Sequence, residues 1–340
     1  MEERVDGKVS IFSEKVCFIC RFVARTDDKY GKHGFYVFVV DLSELVGRGM
    51  KVLKPNFRLQ FDIGMSVSAI GSTLYFTNAL FENSDEIAKV YSLDILTVNQ
   101  AQAQVVSAAD FCTLPCMSGK KHWPLITSIP STKKLLVFSS VYAVHRVFRG
   151  RSGYVHFEMF DVETNSWEEL PQFDIQIPIG HGYDSGLVYF KEHYRYEICG
   201  YTLIDEGAVF LVHLSCGVKL TLNLDSAYKS WQLYNEDMVH SRILCMYPYG
   251  CGDVVQVPRS LHDENDPVKR IYFALTAIDG EDCVCVVRGG ISKHSKHARV
   301  TLDVVNLLAQ NLLASFSFVV EENKFKYFIP LFTFVYHHPK

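Results

Sequence analysis

Two stretches of this chain carry one pattern. In FEMFDVETNSW, residues 157–167, alternating apolar residues run into Asp161, a polar turn follows, and Trp167 comes six residues after the aspartate. LTLNLDSAYKSW, residues 220–231, repeats it with Asp225 and Trp231, again six residues apart. Fainter copies are VYSLDILTVNQ with Asp94, YVFVVDLSE with Asp41 and VTLDVVN with Asp303. A short unit that recurs at intervals of several tens of residues buries little apolar surface by itself. It folds by stacking on its neighbours, so the repeat sets the architecture.

Strand, tight polar turn and strand precede the copies. The turns centre near residues 14, 72, 132, 206, 251 and 322, at Gly, Asp, Asn and Ser, which accept tight backbone geometry. The unit is therefore four strands: a hairpin, a third strand ending in Asp, and a fourth often starting with Trp. Six such units of about 50 residues fit the 340 available. Strands such as VCFICRFVA, YVFVVD and AVFLVHL are apolar on both faces, as strands covered on two sides must be. The expected fold is all-β, a six-bladed propeller of four-stranded antiparallel blades. It forms one domain over residues 1–340, its ring closed by the N- and C-terminal strands. Helical periodicity is best at Leu302, Val305, Leu308 and Leu312.

The paired segments ending at Trp167 and Trp231 resemble the third and fourth strands of a kelch repeat, of the galactose-oxidase-like propeller class and its plant members. The double glycine of that family is replaced by Ser139–Ser140 and Leu214–Ser215, while Gly289–Gly290 stands outside a clear unit. The resemblance implies a protein-interaction scaffold and service as an adaptor in ubiquitin ligation. No F-box precedes the first strand candidate at Val9, so that role calls for another subunit or a longer product. Asp94, Asp161 and Asp225 are expected to accept backbone N–H groups in their turns, and Trp167 and Trp231 to pack between blades.

Composition narrows the function. Lys plus Arg number 34 against 38 Asp plus Glu, a net charge of −4, which speaks against a general nucleic-acid binder. Ten cysteines, with no leader-like apolar segment at the N-terminus, point to a reducing compartment, the cytoplasm or nucleus. Cys17 and Cys20 have CxxC spacing but sit in an apolar strand without a second pair, so they read as core and not as a zinc site. His294, His297, His337 and His338 lack acidic or cysteine company, and no metal or cofactor is expected. The uncharged run at residues 304–320 is too short and too polar to span a membrane. Nucleophile-elbow, P-loop and dinucleotide-binding motifs are missing, so no catalytic residue is assigned.

Function then falls to the loops between second and third strands, which a propeller gathers on one face. Residues 24–34 are highly charged, and residues 80–88 are acidic. Residues 141–153 combine Tyr142, His145, Arg146, Phe148, Arg149 and Arg151 with no acid. Arginine beside aromatics is the composition of interface hot spots. The leading reading is a monomeric, non-catalytic scaffold that holds a protein or peptide on this loop. The alternatives are a hydrolase or oxidoreductase at the central channel, and an RNA contact through the same loop.

Overall fold

The structure is a computed structural model. It describes residues 15–24, 33–42, 51–59, 66–77, 87–97, 104–106, 110–129, 132–144, 154–172, 194–204, 207–214, 218–234, 272–278, 283–291, 297–306, 311–320 and 325–336. These residues form five sheets, each built on a four-stranded antiparallel meander, the unit of a propeller blade. Among the described residues there are thus five blades where the hairpin count predicts six. The hairpin expected near residue 251 lies outside them.

In chain order the strands are β1 (Lys15–Ala24), β2 (His33–Asp41), β3 (Lys51–Leu53), β4 (Phe57–Leu59), β5 (Ser66–Ile70), β6 (Thr73–Thr77), β7 (Val90–Asp94) and β8 (Gln104–Val106). Then come β9 (Cys112–Thr113), β10 (Pro124–Ile129), β11 (Lys134–Ser139), β12 (Val141–Val144), β13 (Phe157–Asp161), β14 (Ser166–Glu169), β15 (Tyr194–Ile204) and β16 (Val209–Leu214). The last are β17 (Lys219–Asn223), β18 (Trp231–Leu233), β19 (Tyr272–Ile278), β20 (Cys283–Ile291), β21 (Ala298–Asn306), β22 (Asn311–Val320) and β23 (Phe325–Tyr336).

One register rule unites the sheets. The first residue of each second strand lies opposite an Asp or Asn at the end of the third strand. The pairs are Lys15 with Asp41, Thr73 with Asp94, Lys134 with Asp161, Val209 with Asn223 and Cys283 with Asn306. An aliphatic residue follows every time: Leu42, Ile95, Val162, Leu224 and Leu307. A short acceptor side chain at the turn, with an apolar anchor after it, is what the repeat consists of.

Three expectations are corrected by this register. Asp303 is not a turn residue: it sits inside β21 opposite Val286 and Ser315, and Asn306 holds the turn position. Asp225 lies two residues past its turn position, which Asn223 occupies. The helical spacing at residues 302–313 is realised as β21 and β22, because both find continuous antiparallel partners and a cross-strand ladder outweighs local periodicity.

The chain divides into two compact units. The first comprises residues 1–59, 100–105 and 258–340. It contains the terminal sheet, β23-β1-β2-β4-β8, and the Asn306 sheet, β19-β20-β21-β22-β3. The hairpins expected at residues 14 and 322 are recast here. β1 finds its outer partner in C-terminal β23, from Lys15 against Tyr336 to Ala24 against Phe325, while β22 pairs with β21 and, in parallel, with β3. The hairpin β19–β20 supplies the two strands that the sequence pattern overlooked, and Gly289–Gly290 lies near the end of its second strand. One core joins the two sheets: Phe18, Phe22, Tyr36 and Phe38 pack with Val287, Val300, Leu302 and Phe318. Cys20 and Cys285 are in that core and Cys17 is equally buried; burial raises all three thiols, Cys285 to about 12.

The second unit, residues 60–99 and 106–257, contains the Asp94 sheet (β5-β6-β7-β9), the Asp161 sheet (β10-β11-β13-β14) and the Asn223 sheet (β12-β15-β16-β17-β18). One core packs Leu136, Phe138 and Phe157 against Phe210, Val212, Leu220 and Trp231, and a second packs Leu135, Val137 and Phe160 against Tyr75 and Val90. Each buried aromatic of this kind contributes about 1.5–3 kcal/mol over an exposed position.

Candidate functional site

The tryptophans fasten one blade to the next. Trp167 Nε1 donates to the Pro115 carbonyl at 2.8 Å, and Trp231 Nε1 to that of Pro171 at 2.7 Å. Both prolines stand two residues past the fourth strand of the preceding sheet, each after a leucine whose N–H closes that strand: Leu114 to Val90 and Leu170 to Phe157. A Leu-Pro step is therefore the receiving half of the tryptophan signal. The turn carboxylates act on their own backbone. Asp161 Oδ1 accepts from Glu163 N (2.9 Å) and Thr164 N (3.1 Å), which lowers its pKa, the Thr164 bond most. Asp94 Oδ1 accepts from Leu96 N at 3.0 Å. In the third copy the acceptor is Asn223 Oδ1, and the Asp225 N–H is one of its donors.

At the other end of the Asp161 sheet lies a cluster of a different character. Residues 117–123 run as a strap across the start of β13 before entering β10. Met117 is buried in the core below. Gly119 is required by space, since a Cβ there would stand 2.6 Å from Val155 Cγ2 and 2.7 Å from its nitrogen. Lys120 bridges Tyr154, and Val155 N donates to the Lys120 carbonyl at 3.2 Å. Lys121 then turns inward. Its ammonium donates to the Val155 carbonyl at 2.9 Å and pairs with the Glu158 carboxylate, whose other oxygen accepts from Ser118 N at 2.7 Å. Both side chains of this pair are fully buried. Burial pulls the Lys121 pKa down, with Glu158 opposing.

Ser139 and Ser140, where the resembled family has its double glycine, hold the strap from the second strand. Ser139 Oγ accepts from His122 N at 3.0 Å and stands 3.0 Å from His156 Nδ1. The pKa of His156 is pushed down to about 3, by burial first and by His122 and Lys121 next. The ring is therefore neutral at physiological pH, with its Nδ1 hydrogen-bonded to the serine hydroxyl. Ser140 N donates to the carbonyls of His122 and Trp123, and its own carbonyl accepts from Ile198 N of the Asn223 sheet at 2.8 Å. His122 stacks on Tyr154 at 4.5 Å. Trp123, just before Pro124, holds a φ of 48°, which costs a residue with a Cβ about 1–2 kcal/mol. Neighbouring hydrogen bonds keep it there.

The sequence pattern marks Ser139–Ser140 only as a departure from the double glycine and does not mark the strap, for which Gly119 is the signal available. The partner-binding residues proposed from sequence fare differently. Tyr142 lies in β12, paired with Tyr196 as the edge of the Asn223 sheet. Residues 141–144, expected in a loop, are strand, because β15 extends far enough to pair with them. His145, Arg146, Phe148, Arg149 and Arg151 lie outside the described residues. What the geometry provides is two fixed anchors for the chain between them: β12 on one sheet and the strapped Tyr154–Glu158 run on the next. Among the described residues, no three His, Cys, Asp or Glu side chains gather as a metal site. No helix among them is long and apolar enough to cross a membrane.

No protein-family model matches the chain, and no curated protein matches it. Among solved structures, the β-propeller domain of Myceliophteria thermophila Cps50 (Swd1) is similar at 11% identity and a TM-score of 0.27, over 84% of this chain and 70% of that one. The S. cerevisiae core factor is similar at 12% identity and a TM-score of 0.27, over 86% of this chain and 37% of that one. Likenesses at that level carry neither fold nor function to this chain.

Proposed function

We propose that the protein is a non-catalytic interaction scaffold that holds a protein or peptide partner on β12 and the segment following it, with Tyr142, His145, Arg146, Phe148, Arg149 and Arg151 as its contact residues. The supporting observation is the pair of anchors around that segment. β12 is hydrogen-bonded into one sheet, and the return is held by a buried ion pair, a parallel bridge and two serines on the next. A rigid base lowers the entropy lost when a loop is ordered on a partner. Lys121 and Glu158 satisfy each other and neighbouring backbone groups, which suits a brace and not a proton-transfer site.

The blades are read as one ring closed by the pairing of β23 with β1, and the protein as a monomer of the cytoplasm or nucleus. An adaptor role in ubiquitin ligation is the finer form of this reading and calls for a separate ligase subunit. The test is an affinity capture from source-cell lysate, comparing the wild type with a variant in which Arg146, Arg149 and Arg151 are all changed to Glu, both first shown folded by circular dichroism. Partners lost only with the variant are the expected result. An unchanged set of partners overturns the assignment to this segment. Ring closure has its own test: deleting residues 325–340 is expected to abolish the cooperative melt, and an unaltered melting temperature overturns it.

A further inference from the structure

We infer that Arg58 is a carboxylate-binding site on the terminal sheet, independent of the segment after β12. Arg58 stands on β4 opposite Tyr36. Its guanidinium carbon lies 4.8 Å from the centre of the Phe22 ring, which itself stacks on Tyr36 at 4.2 Å and 13°. Phe22 can lie across the ladder because its partner is Gly34: a Cβ there would stand 2.7 Å from the Phe22 ring and 3.1 Å from the Leu59 carbonyl. Glycine, two stacked rings and a guanidinium form a preorganised fork.

Among the described residues that fork has no counter-charge. Its Nε is sealed from solvent with no hydrogen-bond partner, and among the described residues no carboxylate pairs with it. Arg288 shows the contrast, with its Nε bonded to Asp303 Oδ2 at 2.5 Å. A cation held on a ring, partly desolvated and unneutralised, favours a planar anion that accepts two parallel N–H groups. Arg58 is only half-buried, so part of its side chain is open to an incoming anion. Burial already lowers its pKa, in line with a group whose charge is poorly solvated. One guanidinium matches one carboxylate, whether a side chain of an acidic peptide or a free acid.

The experiment is a titration of the whole protein, labelled with 15N-arginine, following the arginine Nε–Hε resonances at constant ionic strength. Arg58 is assigned with Arg58→Lys and Arg288 serves as the internal reference. With sodium acetate the Arg58 resonance is expected to shift saturably in the millimolar range, while Arg288 stays still. Gly34→Ala, which displaces Phe22, is expected to weaken the response at least threefold. A capped Gly-Glu-Gly peptide saturating at tenfold lower concentration than acetate, with its Gln twin inert, supports an acidic peptide as the source. Equal saturation by acetate and peptide supports a free carboxylate. A response no larger than that to chloride, an equal response at Arg288, or tighter saturation by inorganic phosphate overturns the carboxylate assignment.

Discussion

Glu158 and Asp303 occupy the same place in two sheets, three residues before the Asp or Asn that ends the third strand. The other three sheets have Phe38, Tyr91 and Leu220 there. Both carboxylates are fully buried, yet their cations come from different directions. Asp303 is satisfied from within its sheet, by Arg288 of the second strand at 2.5 Å and Ser315 of the fourth at 2.6 Å. Glu158 is satisfied from outside, by Lys121 and the Ser118 N–H of the strap. One pair reinforces a ladder that the backbone already makes. The other fastens a segment that has no ladder of its own. Arg288 also keeps 20% of its side-chain surface in solvent, and Lys121 keeps none.

That contrast predicts unequal costs. Glu158→Gln leaves the Lys121 ammonium buried without a counter-charge, and a loss of about 3–5 kcal/mol is expected. Asp303→Asn leaves Arg288 within reach of water, with about 1–3 kcal/mol expected. Pairing Glu158→Leu with Lys121→Met, which copies Leu220 of the sister sheet, should recover most of the first loss. Denaturant midpoints measure all three, and equal costs for the two single variants would break the comparison.

Acid sharpens it further. The folded-state pKa of His156, about 3, lies below its ordinary 6.5, so the unfolded chain binds the extra proton. This group contributes nothing above pH 6.5, and stability falls as the pH drops from 6.5 toward 3. At pH 5 the expected loss is up to about 2 kcal/mol relative to pH 7.5. His156→Asn should flatten that limb of the profile. An unchanged slope between pH 7 and 5 would show that the ring charges freely.

The tryptophans rank below these. Trp231 is buried against Phe157 at 4.9 Å, and Trp231→Phe removes its bond to Pro171 at a cost of about 1 kcal/mol. Trp167 keeps more exposure, and Trp167→Phe should cost less. Thermal melts compare the two, and the reverse order would mean that the Pro115 carbonyl matters more than burial.

Much of the blade was legible in the chain because turn chemistry is local. Asp161 and Asp94 announce their turns by residue type, and the hairpins at residues 72, 132 and 206 form as read. Strand partnership was less legible: the sequence pattern gives β1 a hairpin partner across a turn near residue 14, whereas its outer partner is β23, in a register that no local signal marks. The strap was illegible for a related reason. Lys121 and Glu158 are 37 residues apart, and a lysine beside a histidine reads as a solvated surface. Gly119 and Ser139 disclose their roles only once Val155 and His156 are placed beside them.

The smallest expected effect addresses the repeat itself. By spacing, Asp225 is the partner of Asp161, since each precedes a tryptophan by six residues. By register, Asn223 is, because it lies opposite Val209 as Asp161 lies opposite Lys134. The third-to-fourth strand turn is two residues longer in the Asn223 sheet, and Trp231 still lands opposite Leu222 as Trp167 lands opposite Phe160. The equal spacing is therefore a coincidence between a longer turn and an aspartate displaced by the same two residues. Asn223→Ala removes the acceptor for two backbone N–H groups and should cost about 0.5–1 kcal/mol, whereas Asp225→Ala should leave the melting temperature unchanged. If Asp225→Ala proves the costlier change, function in this turn follows the sequence spacing and not the hydrogen-bonded register.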